Sequence, residues 1–183
     1  MRADFIRDVK REISNINFLV QALLKLSKLD SDTVVFLREE VPVKTLIDHA
    51  VQNVSVLCDL KNVNIERSGQ EETTLFCDFR WQVEAITNIL KNCVEYSPEN
   101  DRIVINTEKN SVYTAISIRD FGPGIDEEDR KHIFERFYRG KNSATESVGI
   151  GLALAKAIIK SDNGAVGVEP ENPGTRFTVK YFI

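Results

Sequence analysis

FRWQVEAITNILKNCVEYSPENDRIVINTEKNSVYTAISIRD, residues 79–120, reads as one long helix followed by a β-hairpin. Within residues 79–96, Val83, Ile86, Ile89, Leu90 and Val94 form the buried stripe of a 3.6-residue period. Residues 103–107 and 112–119 alternate apolar and polar side chains, with Lys109-Asn-Ser111 at the turn between them. Working outward, residues 34–37 suggest a short strand. Pro42 stands where a helix can start, and Leu46, Ile47, Ala50, Val51, Val54 and Leu57 supply its face. Residues 63–66 and 74–77 are short strand candidates separated by a Ser-Gly turn. Residues 150–161 read as a second apolar helix, and residues 165–168 and 175–182 as closing strands. Hairpin strands with helices between them predict an α+β fold, a two-layer sandwich. Its mixed sheet is covered on one face by about three helices, not doubly wound.

A long helix precedes this domain. Over residues 4–30, Ile6, Val9, Ile13, Ile16, Val20 and Leu23 alternate spacings of three and four, a heptad stripe widened by Phe5, Leu19 and Leu26. Such a face either docks on its own domain or self-associates in a bundle, and the second reading is preferred. The polar Asp30-Ser-Asp-Thr33 ends the periodicity, placing the boundary between residues 1–32 and 33–183.

Bulk properties exclude several classes. Apolar content of 42% and charged content of 28% describe a globular chain, and a net charge of −4 argues against nonspecific nucleic-acid binding. Cys58, Cys77 and Cys93 are odd in number, widely spaced and set among apolar residues, as buried reduced thiols are; zinc would need closer pairs and more than His49 and His132. No apolar run is long enough to span a bilayer. Met1-Arg-Ala-Asp opens a charged amphipathic stretch rather than a signal peptide.

Four short strings carry chemistry, and their order matters more than any one of them. Asn88 and Asn92 are one helical turn apart on one face, with Glu95 and Tyr96 completing that helix end. An amide oxygen is a neutral hard ligand suited to magnesium, although two helical asparagines alone are more readily solvated or capping residues. Asp120-Phe-Gly-Pro-Gly-Ile125 follows a strand directly. Its glycines, Gly122 and Gly124, let a ligand approach the backbone, and a carboxylate there can accept from an exocyclic amine such as adenine's. Alone, the string is equally a strand-to-helix turn capped by Asp126. Phe134-Glu-Arg-Phe-Tyr138 is aromatic and basic, and the polar stretch after it could move as a lid, making Arg136, Arg139 and Lys141 available to phosphate. Gly149-Ile-Gly-Leu-Ala153 is a glycine loop running into an apolar helix, where backbone N–H groups favour an anion. It is neither a Walker loop nor a dinucleotide fingerprint.

In this order the set resembles the catalytic ATP-binding domain of sensor histidine kinases of two-component systems, a Bergerat-type ATPase fold, over residues 34–183. The resemblance implies ATP and Mg2+ as ligands. It puts the asparagine box on Asn88 and Asn92, with Asn92 the magnesium ligand. The first glycine box falls on Asp120, Gly122 and Gly124, with Asp120 reading adenine and Ile125 beside it. The phenylalanine box falls on Phe134 and Phe137, followed by Tyr138, with Arg136 approaching the terminal phosphate. The second glycine box falls on Gly149, Ile150, Gly151 and Leu152, with Ala153 where many members carry a further glycine. Gly174-Thr175 with Phe177 resembles the last motif, behind the adenine.

The same resemblance implies transfer of the γ-phosphate to a histidine, a response-regulator receiver domain as partner, and a cytoplasmic location below a membrane anchor. The family's acceptor string, His-Glu followed by Thr-Pro, is missing from this sequence. Residues 12–30 resemble the second helix of the family's dimerisation hairpin, and residues 5–9 resemble the lead-in to the acceptor, with Arg11 in the acceptor position. Either a first helix has been removed, the preferred reading, or the chain is a natural member without an acceptor. His49 and His132 are expected to be surface or capping residues. A degenerate, nucleotide-dependent association module is the alternative function. Another ATPase of this fold, of the gyrase and chaperone group, would lack the Phe-Glu-Arg-Phe-Tyr segment.

Overall fold

The computed structural model describes residues 2–140 and 148–183, and the chain divides into two compact units, Met1–Val34 and Val35–Ile183. The first unit is helix α1 (Arg2–Asp30). Its heptad residues Ile6, Val9, Ile13, Ile16, Val20 and Leu23 are all exposed. The helix stops where Asp32 takes a left-handed φ of 50°, and Ser31 and Thr33 return their N–H groups to the Ser27 and Lys28 carbonyls. No described helix is long and apolar enough to cross a membrane.

The second unit runs β1 (Arg38–Pro42), α2 (Val43–Lys61), β2 (Asn64–Gly69), β3 (Thr74–Asp78), α3 (Phe79–Tyr96), β4 (Arg102–Lys109) and β5 (Tyr113–Arg119). It continues with α4 (Glu127–Arg130), α5 (Gly151–Ser161), β6 (Gly164–Pro170) and β7 (Thr175–Phe182). Five strands form a mixed sheet in the order β2-β4-β5-β7-β6, parallel only between β2 and β4; β1 and β3 make a separate antiparallel pair. Helices α2, α3 and α5 pack side by side with α3 in the middle. This is the expected α+β sandwich.

Strand alternation sets the core. Ile103, Ile105 and Thr107 of β4, Ile116 and Ile118 of β5, and Phe177, Val179 and Tyr181 of β7 are buried. From α3, Ala85, Ile86, Ile89, Leu90, Cys93 and Val94 are buried. Asp78 starts α3 by accepting from the Arg80 and Trp81 N–H groups at 3.1 and 3.2 Å. At the other end the Lys61 ammonium donates to the carbonyls of Val94, Glu95 and Ser97 at 3.0, 2.8 and 2.7 Å. A cation on the last carbonyls complements the helix dipole and ties α2 to the end of α3.

One expectation needs correction. Residues 34–37 are not a strand; the strand is β1, beginning at Arg38, and Val35 and Leu37 are exposed. Partners far along the chain place it. The Leu37 N–H donates to Asp78 Oδ2 at 2.8 Å, the Arg38 guanidinium to Asp162 Oδ1 at 2.6 Å, and Val41 pairs with Leu75. The candidates on either side of the Ser68-Gly69 turn are both strands, β2 lying along β4 and β3 along β1.

Candidate functional site

β5 and β7 stay in register past their ends, because the Asp120 N–H donates to the Thr175 carbonyl at 3.0 Å. Asp120 Oδ1 accepts from the Gly122 N–H at 2.9 Å and the Thr175 N–H at 3.2 Å. Asp120 is 3% exposed. Burial pushes its carboxyl above the usual carboxylate range, opposed by the Gly122 and Thr175 N–H groups, Arg119 and the Cys93 thiol. A buried acceptor oriented by two donors is suited to reading an amine on a flat base.

Close backbone approach builds the walls around Asp120. A methyl on Gly122 would lie 2.4 Å from the Tyr96 carbonyl oxygen, so the loop after β5 rests on the end of α3. Gly174, at φ +106°, would bring a methyl within 2.0 Å of the Asp120 carbonyl oxygen; only glycine suits that turn. Gly124 faces Gly174, and Ile125 beyond it is half-buried.

A second group of residues meets at the start of α5. A methyl on Gly151 would lie 3.2 Å from Asn88 Oδ1, which brings α3 and α5 together there. Gly149, at φ +71°, has its carbonyl bonded by the Phe137 N–H at 2.8 Å, joining the aromatic segment to the glycine loop. Phe137 itself is 55% exposed with φ 64°. Ile150, buried at the N-cap, offers no side-chain acceptor, and the first turn of α5 carries no acidic residue. Its N–H groups and positive dipole end are therefore suited to an anion. Leu152 is half-buried beside them.

Helix α3 connects the two groups. Asn88, Asn92 and Tyr96 lie four apart on one face, about 6 Å per step. All three and Glu95 are half-buried, and Glu95 pairs with Lys91 at 3.8 Å. The remaining expected residues are less gathered. Arg136 is exposed on the segment between α4 and Gly149. The Tyr138 hydroxyl donates to Asp129 Oδ1 at 2.7 Å, which holds that ring against α4. Lys141 lies outside the described residues. Asp126 stands at the N-cap of α4 but makes no side-chain cap. His49 and His132 are exposed, the latter bonded to Glu135 Oε1 at 2.8 Å and ring-packed on Tyr138. On the α4 side of Tyr138 an open depression of about 550 Å³ is lined by Glu128, Asp129, Lys131, His132, Tyr138 and Arg139, with both signs of charge.

The sequence did not point to Lys61, whose carbonyl partners at the end of α3 only the fold brings near. All three cysteines are free and buried, as expected.

Residues 77–182, more than half of the chain, match the family model described as histidine kinase-, DNA gyrase B-, and HSP90-like ATPase. A sensor-like histidine kinase, SenX3 of Mycobacterium tuberculosis, is 28% identical over 177 residues, covering 95% of this chain and 43% of its own length. The chain thus spans less than half of that curated relative. Among solved structures, full-length ShkA in complex with AMPPNP superposes with a TM-score of 0.83 at 21% identity, over 98% of this chain and 38% of that one. Histidine kinase ThkA in complex with response regulator protein TrrA gives 0.80 at 22%, over 97% of this chain and 50% of that one. The chain therefore belongs to the histidine kinase-, DNA gyrase B- and HSP90-like ATPase family.

Proposed function

We propose that this chain binds Mg-ATP between α3, the loop after β5 and the start of α5, and presents the γ-phosphate to a histidine carried elsewhere. The observation that supports this best is the meeting of Asp120, Gly122 and Thr175 at one end of α3 with Asn88 and Gly151 further along the same helix. Asp120 accepts from the adenine amine, with Gly124, Ile125, Tyr96 and Thr175 around the base. Gly149, Ile150, Gly151 and Leu152 offer backbone to the phosphates. Asn88, Glu95, Phe137 and Tyr138 border the cleft, and Lys141 belongs to the same basic segment as Arg136.

Asn92 is the magnesium ligand in this reading. Among the described residues no group of three or more His, Cys, Asp or Glu could hold a metal. A neutral amide oxygen suits a cation that takes its remaining ligands from water and phosphate. Bound there, magnesium would offset charge on the phosphate oxygens. Arg136 supplies a further positive charge near the terminal phosphate. The protein's part is placement for in-line attack by an imidazole nitrogen, together with charge neutralisation.

Residues 1–32 act as a remnant of the dimerisation hairpin, and residues 33–183 as the catalytic domain. The exposed heptad face of α1 fits self-association through residues 4–30, or pairing with the hairpin of a full-length kinase. A response-regulator receiver domain is the downstream partner, and the chain acts as the cytoplasmic portion of a membrane-anchored receptor. The test is titration with ATP, with and without magnesium, followed by addition of an intact acceptor hairpin in trans. Binding at micromolar-class affinity, no self-phosphorylation and acid-labile phosphate on the added hairpin are expected. Binding unchanged in both Asn92→Ala and Asp120→Ala, or acid-labile phosphate on His49 or His132, would sink the reading.

A further inference from the structure

At the end of β5 the chain keeps the alternation of a strand: Arg119 is half-buried, Asp120 buried and Phe121 half-buried again. Arg119 and Phe121 therefore share the outer face of the sheet, opposite to the side into which Asp120 turns. On that outer face the Phe121 ring stacks with two guanidinium groups, Arg119 at 4.5 Å and Arg102 at 4.7 Å from its centroid.

Arg119 also reaches the turn between β6 and β7. Its Nη2 donates to the Pro173 carbonyl at 3.3 Å, and its Nη1 lies 3.5 Å from Glu171 Oε2. Glu171 Oε1 takes Arg176 Nη2 at 2.7 Å, and the Glu171 N–H donates to the Gly174 carbonyl at 3.0 Å. Arg119 and Arg176 stand opposite each other across β5 and β7, a like-charge pair that Glu171 bridges. One guanidinium thus grips both segments whose N–H groups align Asp120. It holds the loop containing Gly122 through Phe121, and the turn leading into Thr175 through Pro173 and Glu171.

Stability alone does not account for a charge at this position. Arg119 Nε is buried with no hydrogen-bond partner among the described residues, and its ion pair is partly open to solvent, where such pairs contribute little. An apolar side chain would cover the same surface without that cost.

We infer that Arg119 is a positioning residue for base recognition: from the outer face of the sheet it ties the loop after β5 to the β6–β7 turn, and so holds Asp120 where it accepts a hydrogen of adenine's 6-amino group. This rests on the nucleotide-site reading above and extends it to selectivity against purines that lack the amine. Arg119 does not touch the nucleotide; it acts through Phe121, Pro173 and Glu171.

The full chain is titrated with ATP and with purine riboside 5′-triphosphate, which differs from ATP only by the missing amine. Arg119→Met removes the fork and keeps an apolar stem; Arg119→Lys keeps the charge but neither the fork nor the flat stacking surface. Each should weaken ATP by about five-fold and the amine-free nucleotide by less than about two-fold. Phe121→Leu should show the same pattern, and its combination with Arg119→Met should fall well short of the product of the single losses, since the two side chains form one clamp. A merely structural role would weaken both nucleotides alike, so equal losses for the two nucleotides, or no loss in either Arg119 variant, overturn the inference. A wild-type preference in Arg119→Lys would show that charge alone matters, and a full product in the double variant that the contacts are independent; either also overturns it. If Arg119→Met does not fold, Arg119→Lys carries the test. Asp120→Ala separates the two levels. If it abolishes the preference for ATP while the Arg119 variants keep it, only the inference fails. If Asp120→Ala leaves that preference intact, the adenine reading fails and the inference with it.

Discussion

Replacing Gly174 by alanine tests the most tightly constrained turn of the site. The residue sits at φ +106°, where an L side chain is strained by about 1–3 kcal/mol. The new methyl would lie 2.0 Å from the Asp120 carbonyl oxygen, so the backbone must yield by roughly 1 Å to restore van der Waals contact. That movement pulls apart two bonds, from the Asp120 N–H to the Thr175 carbonyl at 3.0 Å and from the Thr175 N–H to Asp120 Oδ1 at 3.2 Å. At about 1 kcal/mol for each, with more for the charged acceptor, the total loss is about 3–5 kcal/mol. Urea unfolding without nucleotide should then show a midpoint lowered by about 1.5–3 M at unchanged slope. ATP affinity, measured by calorimetry under conditions where the variant is folded, should fall at least about ten-fold, since Asp120 loses its alignment. Gly167→Ala is the control, because a methyl there meets nothing within 4 Å, and it should be neutral or slightly stabilising. A loss under about 1 kcal/mol in Gly174→Ala with unchanged ATP binding would refute the claim that this turn holds Asp120.

Three further outcomes are expected. Lys61→Met removes the ammonium from three carbonyls at the end of α3, and urea unfolding should show a loss of about 1–3 kcal/mol; a neutral result would mean that water serves those carbonyls equally well. Burial pushes the Cys77 thiol up to about 12 and also raises Cys58 and Cys93, so at mildly alkaline pH the native chain should react with Ellman's reagent only on unfolding, then release three equivalents. A rapid native titre would contradict the packing. Burial also raises Asp120 above 3.8, so the folded state keeps its proton where the unfolded chain has released it. The stability from this group is complete below 3.8 and is lost as pH rises through the raised native value. Relative to Asp120→Asn, wild type should therefore lose stability across that window and then level off towards neutrality; a difference independent of pH would deny the burial.

The long periodic segments were legible in the sequence because their information is local. The α3 stripe, the β4–β5 hairpin and the α5 face each declare their period within about ten residues. Strand β1 was not legible: the apolar residues at 34–37 outweigh Arg38–Pro42 locally, yet Asp78 and Asp162 hold the latter from 41 and 124 positions away. The same limit hid the parallel pairing of β2 with β4, whose register is set across the intervening α3. In the candidate site, the spacing of Asn88 and Asn92 alone declares a shared helical face, and both lie on α3. Lys61 was not visible as a contact, since nothing in its neighbours along the chain announces the carbonyls at the end of α3.

The order in which the strands are made differs from the order in which they lie. β7 is the last strand of the domain and sits between β5 and β6, and Thr175 at its start supplies a donor to Asp120. On a ribosome, about 5–20 residues emerge each second, so the sheet keeps a gap in its interior until the final strand arrives. α1, with its exposed apolar face, is already out by then. The nascent protein therefore has a stage at which the apolar face of α1 is available while Asp120 lacks its partner on β7. Contacts made through α1 during synthesis would precede closure of the sheet, and a chain truncated before Thr175 would keep its N-terminal helix but could not complete the sheet or the Asp120–Thr175 bonds.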